Sequence, residues 1–155
     1  MDGPTSATTV SVQREDFDLG AEARHLTESS TDIGALVSFT GLVRGSAETV
    51  RAMELEHYPG MTERALETIA AEARSRWPLD GVRIIHRIGR LEPGDQIVLV
   101  LTASRHRQAA FEAGEFIMDY LKTRAPFWKR EETAEGAHWV DARETDETAA
   151  NRWDG

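Results

Sequence analysis

The apolar positions of this chain change period several times, and each change marks an element. Residues 8–13 (Thr-Thr-Val-Ser-Val-Gln) alternate weakly and predict an edge strand. Leu19, Ala23 and Leu26 then fall at helical spacing between Asp16 or Asp18 and about Glu28. From Gly34 the set Ala35, Val37, Phe39, Gly41 and Val43 fills one face of a strand, which Arg44-Gly45-Ser46 ends in a polar loop. A further strand runs from about Val50 to Tyr58. Pro59-Gly60 breaks it, and Thr62 is placed to cap a helix whose stripe of Ala65, Leu66, Ile69, Ala70 and Ala73 stops at Trp77-Pro78.

The segments Val82–Gly89 and Gln96–Ala103 flank Leu-Glu-Pro-Gly-Asp, whose Pro-Gly pair signals a turn, so they predict an antiparallel hairpin. Ile97–Leu101 is apolar at every position, as in a central strand covered on both faces. A long helix follows from Arg107 to Arg124, with Ala113, Phe116, Ile117, Tyr120 and Leu121 as its buried stripe, and Pro126 ends it. Phe127–Glu132 reads as extended, with Lys129 and Glu131 on one face and Trp128 and Arg130 on the other. A short strand around Trp139-Val140 precedes an acidic tail. Strand, helix, two strands, helix, two strands, helix and short strands is an α+β order: a mainly antiparallel sheet with helices packed on it.

Composition narrows this picture. With 155 residues and 40% apolar content the chain suits a single domain, assigned to 10–143, with a flexible N-terminus at 1–9 and an acidic tail at 144–155 whose order depends on a partner. A formal charge of −9 disfavours nucleic acid. No segment reaches the roughly 20 apolar residues of a membrane span and Met1–Thr9 has no export pattern, so a cytoplasmic protein is expected. Cysteine is absent, which removes thiolate metal sites, cysteine nucleophiles and any persulfide carried by the chain itself. The five histidines lack metal-site spacing, so no metal and no cofactor is expected.

Within the acidic chain two basic clusters stand out, Arg105-His106-Arg107 and Lys122, Arg124, Lys129, Arg130, and such local positive charge suits a small anionic ligand. Lys122 is either a solvated last-turn lysine or the rim of a site. Lys129 is either a lysine on the sheet surface paired with Glu131 or a partner of Lys122 across the Pro126 break. A lysine held beside a second cation can serve as acid, base or nucleophile. Trp128 reads more readily as core than as a ligand platform. Arg44 is either a plain loop arginine or a ligand contact at a strand end, and His106 and Arg107 are either a solvated first turn or anion donors.

Several runs together resemble the large subunit of molybdopterin synthase, the MoaE family. They are Phe-Thr-Gly-Leu-Val-Arg at 39–44, Leu-Glu-His-Tyr-Pro-Gly-Met at 55–61, Ile-His-Arg-Ile-Gly at 85–89, His-Arg at 106–107, Phe-Ile-Met-Asp-Tyr-Leu-Lys-Thr-Arg-Ala-Pro-Phe-Trp-Lys-Arg-Glu at 116–131 and Trp-Val-Asp-Ala-Arg at 139–143. The resemblance spans roughly residues 10–153 and implies an α/β-hammerhead-like fold. It also implies a sulfurtransferase that turns cyclic pyranopterin monophosphate into molybdopterin. The sulfur would come from the thiocarboxylated C-terminal Gly-Gly tail of a small ubiquitin-like subunit, in a heterotetramer built on a homodimer.

By that resemblance Lys122 and Lys129 are the catalytic lysines, and Leu42, Val43, Arg44, His106, Arg107, Arg130 and Glu131 line the substrate pocket. Leu42 departs from the polar residue common there, so Leu42 and Val43 are expected to contribute through backbone. Arg143 is a candidate contact for the partner's tail. His106 and Lys122 lie 16 residues apart on one helix, about 24 Å at 1.5 Å per residue, which predicts a site shared between two copies. The rival readings are a binding module that only receives the ubiquitin-like tail, and an acyl or phosphoryl transferase using the same basic pocket.

Overall fold

The computed structural model describes residues 9–45, 52–133, 136–139, 149–151 and 153–154. Its strands are β1 (Val10–Gln13), β2 (Ala35–Leu42), β3 (Ala52–His57), β4 (Leu79–Arg87), β5 (Gly89–Leu91), β6 (Gln96–Ser104), β7 (Phe127–Thr133) and β8 (Gly136–Trp139). Its helices are α1 (Leu19–Thr27), α2 (Met61–Arg76) and α3 (Arg107–Arg124). The α+β class and the dominance of antiparallel pairing agree with the sequence pattern. The strands divide into two four-stranded sheets, β1-β4-β6-β2 and β5-β3-β7-β8. Among the described residues only β1–β4 is a parallel pair.

The division follows from one residue. The expected hairpin is present as β4–β6, from Leu79 opposite Ser104 to His86 opposite Val98. At Gly89 (φ +94) the chain turns away, and β5 joins β3 in the second sheet instead. A three-residue strand is too short to show in an apolar period, and left-handed backbone is the conformation glycine takes without penalty.

β4 and β6 are covered on both faces, which explains the unbroken apolar run of β6. On one side Phe17, Leu26, Ile85, Leu99, Leu101 and Ala103 pack under α1. On the other, Val82, Ile84, Val98 and Val100 meet Leu66 and Ile69 of α2 and Phe116 and Ile117 of α3. Of the two starts open in the sequence, Asp16 and Asp18, it is Asp18 that caps α1, its carboxylate accepting from the Ala21 N–H at 3.1 Å.

One local expectation changes. The cap of α2 is Gly60 (φ +83), and the Glu63 carboxylate accepts the Gly60 N–H at 2.8 Å. Thr62 is fully buried, its hydroxyl accepting from the Tyr58 N–H and donating to the Pro126 carbonyl at 2.7 Å. Ala35, Val37, Phe39 and Gly41 share one face of β2, as the alternation predicts, but β2 is an edge strand and that face is incompletely covered. Phe39 is 43% exposed, and Leu36 and Leu42 stand out on the opposite face.

Of the acidic tail, Ala150 is buried and Trp153 packs edge-on against Trp77 and Phe116. The Trp153 indole N–H donates to Asp119 at 2.6 Å, and Asp154 accepts from the Tyr120 hydroxyl and from Arg124. This end of the tail is therefore held by the chain itself, through α2 and the last two turns of α3.

Candidate active site

The candidate lysines flank a sharp junction. α3 stops because Pro126 disfavours helical backbone at Ala125, which is extended (φ −87, ψ 128), and β7 begins one residue after the proline. Lys122 is exposed in the last turn of α3, where a cation complements the helix dipole. In β7 the pleat separates the side chains. Lys129 lies opposite Leu55 and Glu131 opposite Met53, so both face the buried side of the second sheet. Arg130 lies opposite Glu54 on the outer side and pairs with it at 3.5 Å, and Trp128 is 41% exposed there instead of joining the core.

The Lys129 side chain is 34% exposed, and its ammonium lies 3.9 Å from the Glu131 carboxylate. The pairing of a simple surface lysine is thus present, but on the inner face, where it holds a cation over apolar neighbours. Sheet geometry splits the proposed pocket set: Lys129 and Glu131 share one face, while the Arg130 side chain is turned away from them.

Between the lysines lies a residue that motif reasoning assigned no role. His86 of β4 is 5% exposed, and its ring stacks on Phe127 with centroids 3.9 Å apart and planes 22° from parallel. Nδ1 lies 2.9 Å from the Arg87 carbonyl, so Nδ1 carries the hydrogen and donates it. Burial pushes the imidazole pKa down to about 4 and the positive charge of Lys122 pushes the same way, while the Arg87 carbonyl opposes both. Lys122 is therefore within electrostatic reach of His86, which touches the residue two positions before Lys129. The available signal was a single histidine set in the apolar strand Val82–Gly89.

Arg44 belongs to the same end of the molecule. β2 pairs with β6 from Ala35 opposite Ser104 to Leu42 opposite Gln96, and His86 and the end of α3 lie toward the Gln96 end. Val43 is buried, its N–H donates to the Asp95 carbonyl at 2.8 Å, and its carbonyl accepts from Gly94 at 2.9 Å. Its backbone donor and acceptor are thus both paired within the chain. Val43 anchors the point from which exposed Arg44 leaves the sheet.

His106 and Arg107 sit at the opposite end. Gly34 allows the turn before them, since a side chain there would lie 2.3 Å from the Arg105 carbonyl oxygen. His106 is the N-cap of α3 without a side-chain capping bond, and both residues are exposed. Eight steps along β6 separate Gln96, the partner of Leu42, from Ser104, the partner of Ala35, roughly 26 Å at strand rise. The register therefore puts Arg44 beyond the Gln96 end of β6 and His106 and Arg107 beyond its Ser104 end. Arg143 and the loop at 46–51 lie outside the described residues. Among the described residues no three His, Asp or Glu side chains converge as metal ligands, and no helix is long and apolar enough to cross a membrane.

The family model for MoaE protein matches residues 12–124. The chain belongs to the MoaE family. Two relatives named molybdopterin synthase catalytic subunit are similar along nearly their whole length. The Escherichia coli protein is 59% identical, covering 94% of this chain and 98% of its own. The Mesorhizobium japonicum protein is 57% identical, covering 95% and 94%. A solved structure described as molybdopterin biosynthesis MoaE protein from Burkholderia ambifaria superposes with a TM-score of 0.81 at 57% identity, covering 94% of this chain and 98% of that one. In this MoaE chain the most specific sequence run, 116–131, is the one that builds the α3–β7 junction.

Proposed function

We propose that this chain is the catalytic subunit of a molybdopterin synthase, acting on cyclic pyranopterin monophosphate in the cytoplasm with a small ubiquitin-like subunit as sulfur donor. The observation that carries this reading is the α3–β7 junction of a MoaE-family chain, which sets Lys122 and Lys129 about one buried aromatic stack. The missing cysteine agrees with it, because the sulfur must then arrive on a partner.

In each transfer the thiocarboxylate sulfur of the partner's terminal glycine forms a bond to a substrate carbon as that carbon's bond to oxygen breaks, the oxygen leaving with a proton from a lysine ammonium or with the phosphate it carries. Water then cleaves the acyl–sulfur bond, returning a carboxylate to the partner and leaving the sulfur on the substrate. Lys122 and Lys129 exchange protons with the reacting groups and stabilise the oxyanion that forms during acyl cleavage. Glu131 holds Lys129 on the inner face, Arg44 meets the substrate's anionic group, and Arg130 contributes through its backbone.

The phosphate and pterin contacts assigned to His106 and Arg107 reach this site only from a second copy, so we assign a homodimer with two composite sites and one small subunit at each. Exposed Leu36, Phe39 and Leu42 on edge strand β2 supply apolar surface for the pairing.

Turnover with a thiocarboxylated small subunit and the pyranopterin precursor tests the reading by dithiolene formation. Lys122→Ala and Lys129→Ala are each expected to lower kcat by about 10² or more. Near-parental conversion by both variants would show the lysines to be bystanders, and tight partner binding without product in the parent chain would favour a delivery module.

A further inference from the structure

The α3–β7 junction is held by two buried polar side chains from elements that otherwise have no part in the site. Thr62 of α2 donates to the Pro126 carbonyl at 2.7 Å, and the next residue, Phe127, lies flat on His86 of β4. Lys122 is four residues before Pro126 and Lys129 three after it. Whatever fixes these two adjacent residues therefore fixes the separation of the lysines.

We infer that His86 is a positioning residue for the lysine pair: its buried ring, locked by the Arg87 carbonyl and stacked against Phe127, sets where β7 departs from α3. The inference rests on the reading of Lys122 and Lys129 as the catalytic pair. The residue type fits the task. An aliphatic side chain would fill the volume but offers no flat face to Phe127 and no hydrogen bond to stop rotation. A permanently charged one would repel Lys122. A neutral imidazole meets all three demands, and burial keeps it neutral well below physiological pH. Thr62 is the second half of the same device, since its hydroxyl is also shared with the Tyr58 N–H that opens α2.

The test compares the parent chain with His86→Ala, His86→Phe and Thr62→Val in complex with the thiocarboxylated small subunit. Circular dichroism verifies the fold, and steady-state turnover is set beside amide hydrogen exchange. His86→Ala is expected to lower kcat about a hundredfold while KM for the precursor changes less than about threefold, because misplacing a reacting group by about 1 Å costs that much. Exchange should rise at residues 125–131 and stay slow across the β4–β6 ladder. His86→Phe, which restores the flat ring, should recover kcat to within about tenfold of the parent.

A folded His86→Ala chain with parental kcat, or a His86→Phe chain no better than His86→Ala, overturns the inference. Should His86→Ala fail to fold, Thr62→Val carries the test: faster exchange confined to 125–131 supports the pinning and unchanged exchange rejects it. If the parent chain forms no dithiolene, the functional reading fails separately, and the exchange comparison still decides whether His86 holds the junction.

Discussion

His86 illustrates how one buried polar atom ties stability to pH. Its pKa of about 4 lies below the ordinary 6.5, so the unfolded chain binds a proton that the folded chain excludes. The contribution of the neutral ring is complete above pH 6.5 and is lost as pH falls toward 4. Between pH 7 and pH 4.5 the parent should therefore lose about 2 kcal/mol more than His86→Phe. Urea unfolding of both chains at pH 7 and pH 4.5 measures this, and equal losses would remove His86 as the cause. Gly34 shows the opposite kind of constraint, where absence of a side chain is what the Arg105 carbonyl requires. Neither demand is visible in a hydrophobic pattern, which records whether a position is buried and not what its ring or backbone must touch.

At the scale of elements, helices and long strands were legible because each carries one apolar period from end to end. The stripe of α3 and the unbroken run of β6 are both explained by the surfaces that cover them. The β5 crossover was illegible because three residues set no period, and the exposure of Phe39 was illegible because an edge strand keeps its alternation without a layer to cover every position. For the site, the face assignment of Lys129 and Glu131 against Trp128 and Arg130 followed from the pleat alone. The separation of Arg44 from His106 needed the β2–β6 register. The end of the tail adds an element-scale prediction. Trp153 joins Trp77, Phe116 and Asp119, so Trp153→Ala should destabilise the chain by about 2 kcal/mol and accelerate exchange in the last two turns of α3. An unchanged melting temperature would show that this end contributes nothing to α3.

For the whole molecule, the length of α3 forces the main consequence. Its two ends cannot serve one small substrate, so a dimer should show complementation: mixed dimers of Lys122→Ala with His106→Ala chains regain one intact site, although each variant alone is impaired. Mixing the two after partial unfolding and refolding, then measuring dithiolene formation, tests this. No recovery in verified mixed dimers would mean that each site is built from one chain.

With sites shared as proposed, the placement of these residues at opposite ends of sheet and helix would also make the protein vulnerable to interference by its own defective copies. A chain damaged at only one end spoils one site in a mixed dimer, so an equal mixture retains about half the parental activity. A chain damaged at both Lys122 and His106 spoils both sites of every mixed dimer, leaving only the parental pairs, about one quarter of the total. Genetic dominance of the double variant over the single ones would thus be written into the length of a helix.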